Sequence, residues 1–445
     1  MLNANTKKPP APTWFELFWL PYRDYEYTTL TFATKLSKKY GEIAYVSASN
    51  IYLLSGAAVL EHVLKLNAKN YIRSDAAFNH LRPFFGNSVL VNSGEPWKHR
   101  RKIALPAYKH ENLHRYFPIL TQLTAEYCAY WQSKNPSVVN LLKILNYLSL
   151  DIAFHLFCQQ PATALMLKTL EPAIAFCNHY CSKTRFFPFA IPTWNNLKFR
   201  YYNRKVDTIL LKIIEERRGQ DTEVSDLLSL LFTAENEEKT KLNTQEILAE
   251  FKTHMITGHE TTACSLSWMW YLLALHPHYR EALEAELAQI LNGRLPTEAD
   301  IPNLRMTKAI ICETLRLYPA IWATVRTNLN SDTIQGYHIP KNSQLCLHIY
   351  ALHRNPVYWE NPNQFYPERF LSEQKHPHFA FLPFGAGPHT CIASHLALSE
   401  MILITATIAQ KIRFERCDKK RVIPEACISL RPLDSIKMRP KWINK

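Results

Sequence analysis

A single helical run sets the scale of this chain. Asn243 stands in capping-box spacing with Glu246, and Pro277 closes the run just past Leu275. Thr244–Leu275 therefore reads as one helix, spanning roughly 48 Å at 1.5 Å per residue. That is enough to cross a whole domain, so the rest of the chain must build a large body around it. Its middle is costly. Gly258 gives up about 1 kcal/mol relative to alanine, and His259, Glu260, Thr261 and Thr262 follow it. Polar groups in a buried helix are expensive unless paired. A kink with back-bonded threonines explains the segment as readily as a function does.

The remaining pattern is mainly α with a minor β region. Helices are expected at Ala57–Leu66, Leu141–Cys158, Tyr201–Arg218, Tyr279–Leu291 and Met306–Leu317. An alternating run, Ile43–Gly56, reads as a hairpin with its turn at Ser49-Asn50, and a second β-rich patch covers Thr324–His348 with a turn at Gln335-Gly336. His353–Pro383 is rich in Pro, Asn and aromatics and has no period; long stretches of this kind are usually functional. With no repeat and no Gly/Ser linker, the expected organisation is a Pro-containing lead-in at 1–12 and a single domain at 13–445. Hydrophobic residues make up 47 % and charged residues 20 %, which excludes disorder for most of the chain.

The formal charge is +14, but the basic residues are scattered and no nucleic-acid module is present. The largest run, Lys98 to Lys102, is by default a solvated helix face; its place beside Pro96 and Trp97 leaves contact with an acidic partner open. The ten cysteines stand as singletons without a CxxC pair, a pattern that suits a reducing cytoplasm. Trp14–Tyr22 is interrupted by Glu16 and Pro21, and Ala263–Leu275 is too short to span a bilayer. The expectation is a cytoplasmic monomer with no transmembrane helix and at most a weak membrane-surface contact through the N-terminal aromatics.

One stretch demands chemistry. In "FLPFGAGPHTCIASHLALSE", Phe381 to Glu400, two of only ten glycines stand just ahead of a cysteine, and an apolar helix follows from Ile392 to about Lys411. A thiolate is a soft, electron-rich ligand that must be kept anionic, and a place before a helix supplies backbone N–H groups for it. Glycines let the backbone turn and approach a flat ring closely. Cys391 taken alone reads best as a core residue.

The string is not alone. "FGAGPHTCIA" resembles the cysteine-loop signature of the cytochrome P-450 superfamily, the haem-thiolate monooxygenases, with Phe384, Gly387, His389, Cys391 and Ala393 on its positions. Histidine replaces the usual arginine and alanine the usual glycine. Four further segments follow the family's order: "WKHRR" with Trp97 and Arg101, "TGHETT" with Thr257, Glu260 and Thr261, "ETLR" with Glu313 and Arg316, and "PERF" with Arg369. "LRLYP", "HRNPVYWENPNQFYPERF" and "ISLRP" extend the likeness.

The resemblance implies a helical prism around haem b, with Cys391 as axial ligand of the iron. Phe384 would shield the sulfur, and Trp97, Arg101, Arg326 and His389 would meet the haem carboxylates. Glu313, Arg316 and Arg369 would form a structural network, and Glu260 and Thr261 would be the catalytic acid and alcohol. A pocket lined by Phe78, Leu81, Phe84, Met255, Thr257, Ile321, Trp322 and Leu430 would take a hydrophobic substrate, with Phe186, Phe187 and Phe189 at its entrance. The implied reaction inserts one atom of O2 into a C–H bond. Its electrons come from a separate ferredoxin, flavodoxin or flavoprotein reductase, since only 54 residues follow Cys391. A peroxide-using or peroxide-rearranging enzyme is the alternative; a haem-thiolate sensor without turnover is the alternative of another class.

Overall fold

The computed structural model describes residues 7–13, 16, 29–182, 189–218, 226–235, 239–372 and 377–443. The chain divides into two compact units, each discontinuous in sequence: residues 1–80 with 313–391, and residues 81–312 with 392–445. As expected, it is mainly helical with small sheets.

The first unit is built on a five-stranded sheet. The hairpin Ile43–Val46/Ile51–Leu54 pairs antiparallel, with Asn50 at φ 52° supplying its turn. Ile51–Leu54 then runs parallel to Gln344–Leu347, which pairs with Thr324–Asn328, which in turn pairs with Tyr71–Arg73. Asp332–Ile334 and Tyr337–Ile339 form a separate hairpin turned by Gln335 and Gly336, at φ 49° and 81°. The core of this unit is largely aliphatic, with Leu54, Val59, Leu60, Ile339, Leu345 and Leu347 almost wholly buried, and Trp359 is buried among them. The lead-in is tied down, because Lys7 exchanges backbone hydrogen bonds with Gly336 and His338, and Tyr45 N–H reaches Pro10 O. One expectation changes here. The helix expected at Ala57–Leu66 is α only to Glu61 and continues as one π-helical turn, His62–Leu66.

The second unit is helical. Leu141–Cys158 and Thr244–Leu275 have the expected bounds because both starts are capped: the Asn140 side chain accepts from Lys143 N–H, and Asn243 and Glu246 form the full capping box. The long helix stays unbroken through Gly258, so there is no interruption of the kind proline makes. Glycine lets the neighbouring helix pack closely, since a β-carbon there would lie 3.2 Å from the ring of Phe157. Leu141–Cys158, which the sequence reading did not weigh as a span, is by length and composition apolar enough to cross a membrane. It packs against the long helix instead, with thirteen of its residues buried. Two other helices start earlier than expected. Trp194–Arg217 is capped by the Thr193 hydroxyl on Asn196 N–H, and Pro277 opens Pro277–Leu291.

Candidate active site

The cysteine loop lies in the first unit. Gly385 and Gly387 have φ of +70° and +69°, the left-handed region that favours glycine, which explains the clustering. Space is a second reason at Gly387, where a β-carbon would stand 1.7 Å from the carbonyl oxygen of Leu64. A short 3-10 turn, Gly387–His389, follows, and Cys391 N–H closes the loop on Phe384 O at 2.9 Å. Phe384, His389 and Cys391 are half-buried. The following helix begins at Ser394 rather than Ile392 and ends at Ala409.

Behind the loop stands a buried ion network. The Arg316 guanidinium donates twice to the Glu313 carboxylate, at 2.7 and 2.8 Å, and both side chains are fully buried. Its remaining protons go to the carbonyls of His353, Pro362 and Gln364 at 2.7–3.0 Å. Glu313 also accepts from Arg369 Nε at 3.1 Å and from Tyr366 N–H at 2.9 Å. The network reaches the cysteine loop through His353, whose Nε2 accepts from Leu382 N–H at 2.8 Å. Burial pushes this imidazole down to about 3, so it is neutral, as an acceptor must be.

Arg326, on strand Thr324–Asn328, is buried in the same unit. Its Nη1 donates to the Thr324 hydroxyl at 2.9 Å and to Val325 O at 3.1 Å. No carboxylate pairs with it among the described residues, and burial pushes it down to about 10. A buried guanidinium without an anion is costly. It fits a ligand that brings a carboxylate, and haem brings two. The chemistry of the donor set is compatible: a half-buried cysteine on a glycine loop would suit as a soft axial ligand of a haem iron.

The second unit holds the acid and the alcohol. Glu260 is buried on the long helix. Ser429 Oγ donates to its Oε1 at 2.9 Å, and Asn178 Nδ2 bonds its Oε2. Burial pushes its carboxyl up, while Ser429, the charge of Arg431 and Asn178 pull the other way. Thr261 is half-buried and donates to Thr257 O at 2.8 Å; Thr257 does the same to Thr253 O. The carboxylate is thus tied to helix Ala164–Ser182 and to the turn before strand Leu430–Pro432. Sequence reasoning missed Asn178 and Ser429. They lie 82 and 169 residues from Glu260, and no spacing signal points to them.

Trp97 and Arg101 share one face of helix Gly94–Ala104, with the guanidinium 5.8 Å from the indole ring centre. The basic run around them is not simply solvated. Arg100 is buried on Glu246 at 2.6 Å, His99 meets Glu235 O at 2.6 Å, and Lys98 and Lys102 are exposed. Of the pocket candidates, Phe78 and Trp322 are half-buried and Ile321 is exposed in the first unit. In the second, Leu81, Phe84, Met255 and Leu430 are buried and Thr257 is half-buried. Phe84 packs edge-on to Phe199 and under the Lys252 ammonium. Phe189 stands edge-on to Phe199; Phe186 and Phe187 lie outside the described residues.

Comparison with known proteins identifies the family. The cytochrome P-450 family model matches residues 7–438. Cyclooctat-9-en-7-ol 5-monooxygenase of Streptomyces melanosporofaciens is 30 % identical over 372 residues, covering 82 % of this chain and 80 % of its own. Cyclooctatin synthase of the same organism is 26 % identical over 386 residues, 85 % and 84 % of the two chains. Leukotriene-B4 omega-hydroxylase 3 of Mus musculus is 27 % identical over 400 residues, 83 % and 76 %. The chain belongs to the cytochrome P-450 family of haem-thiolate monooxygenases.

Proposed function

We propose that this protein binds haem b through Cys391 and uses O2 and electrons from a separate protein to oxidise a C–H bond of a lipophilic substrate. The observation that carries this is the cysteine loop, whose two left-handed glycines and Phe384–Cys391 backbone bond present a half-buried thiol backed by the Glu313–Arg316–Arg369 network. Arg326, Trp97, Arg101 and His389 are the residues that would hold the haem carboxylates. When bound, haem supplies the oxygen chemistry, with the thiolate pushing electron density toward the iron.

The chain's own residues manage protons and water. The Glu260 carboxyl, raised by burial, keeps its proton to higher pH than a solvated glutamate. Ser429 and Asn178 hold both of its oxygens in place. The Thr261 hydroxyl donates to Thr257 O and keeps acceptor capacity on its oxygen, which suits it to order a water. Both relatives named for an oxidation act on hydrophobic molecules by their names, cyclooctat-9-en-7-ol and leukotriene B4. The candidate pocket side chains are largely apolar, which suits a lipophilic substrate. A ferredoxin, flavodoxin or flavoprotein reductase supplies the electrons.

Thr261→Ala separates this reading from its rivals. With a surrogate redox partner and NADPH, product formed per electron pair is expected to fall about tenfold or more, while NADPH consumption continues. Unchanged coupling contradicts the role of Thr261. Turnover with hydrogen peroxide alone, and none with O2 and NADPH, contradicts the monooxygenase reading.

A further inference from the structure

Asp332 gathers donors that the chemistry above does not use. Its Oδ2 accepts from His62 Nε2 at 2.7 Å, Asn67 Nδ2 at 2.9 Å and the Tyr71 hydroxyl at 2.5 Å, and its Oδ1 accepts from Thr333 N–H at 2.7 Å. Burial pushes this carboxyl up, but the Tyr71 and His62 donors outweigh it and hold it below the usual carboxylate range.

The placement of these donors is informative. His62 opens the π-helical turn, and Asn67 closes it with its N–H on His62 O at 2.8 Å. π-turns are rare, and frequent where function needs a backbone offset. Here a single carboxylate pins both ends of one. The turn's other side meets the cysteine loop. The Leu64 carbonyl oxygen occupies the space a β-carbon on Gly387 would need. Glu61 pairs with His378 at 3.2 Å, and the Lys65 ammonium lies 5.8 Å from the Phe379 ring centre. The chain then runs from Phe379 through Phe384 to Gly387 and Cys391. A shift of Leu64 therefore moves the residues that set the backbone of Cys391.

We propose that Asp332 is a positioning residue for the Cys391 ligand. Through His62, Asn67 and Tyr71 it holds the π-turn as the wall against which the cysteine loop closes. This role rests on Cys391 being the iron ligand.

The test uses the haem-loaded protein and reads amide hydrogen exchange together with the ferrous carbon-monoxide spectrum. In Asp332→Asn, exchange across residues 385–391 is expected to quicken about tenfold, as loss of charge-assisted hydrogen bonds allows local opening. Part of the spectrum is expected to move from the thiolate-type to the thiol-type band. Tyr71→Phe should do the same to a smaller extent, and Asp434→Asn, at an exposed pair with Lys420, should do neither. Faster exchange confined to residues 62–67, or wild-type exchange at 385–391, overturns the proposal. If Asp332→Asn does not fold, Tyr71→Phe decides by the same criterion. Faster loop exchange with an unchanged band overturns the positioning role alone, whereas an unchanged band in Cys391→Ser overturns the ligand assignment beneath it.

Discussion

Arg316→Met is expected to destabilise the protein by about 3–5 kcal/mol, as removal of one member of a buried ion pair does. The cost has three sources. Glu313 stays fully buried with its main charge partner gone, and Arg369, bonded through a single nitrogen at 3.1 Å, does not replace a two-point contact. The carbonyls of His353, Pro362 and Gln364 lose their donor. The Trp359 ring, 5.1 Å from the guanidinium carbon, loses a cation over its face. Removing Glu313 as well does not restore stability, because Arg369, Tyr366 N–H and the three carbonyls remain unmatched. Since His353 passes the network on to Leu382, haem retention should fall together with stability. Urea unfolding and the haem-to-protein ratio check both; wild-type values for the single variant contradict the account.

Gly387→Ala is expected to cost about 2–5 kcal/mol, combining a left-handed conformation with overpacking. Its β-carbon would meet a backbone oxygen, which cannot swing aside as a flexible side chain can. Gly385→Ala is the matched comparison. It has nearly the same φ, but nothing lies within 4 Å of its β-carbon, so it should cost only about 1–2 kcal/mol. Thermal unfolding and haem content distinguish the pair. Equal losses in the two variants mean that contact with Leu64 contributes nothing.

These two predictions differ in how far the sequence foreshadows them. Glu313 and Arg316 are one helical turn apart, and both glycines stand within six residues of Cys391, so local spacing exposes them. The bounds of Leu141–Cys158 and Thr244–Leu275 are legible because Asn140 and Asn243 announce their starts through side-chain caps. Trp194–Arg217 begins earlier than expected because its start is set by the Thr193 cap, which the sequence reading passed over. The partners of Glu260 and Asp332 were illegible for another reason. Asn178 and Ser429 meet Glu260, and His62, Asn67 and Tyr71 meet Asp332, only through tertiary packing across 82 to 270 residues of chain. The basic run at Lys98–Lys102 was misread in part for the same reason, since the partner that buries Arg100 is Glu246, 146 residues away.

The Glu260 site shows what packing adds. From sequence it is an acid beside an alcohol. In the fold its carboxyl is held by Asn178 and Ser429, and Arg431 lends it a nearby positive charge. Its neighbour His259 is buried, bonded to Met255 O at 2.9 Å and pushed down to about 4, so it is neutral at physiological pH.

The most direct measurement of the central claim is the ferrous carbon-monoxide difference spectrum of Cys391→Ser beside the wild-type protein, each loaded with haem. The wild type should show the band of a thiolate-ligated haem and the variant should lose it. A variant that keeps the wild-type band would show that another residue binds the iron.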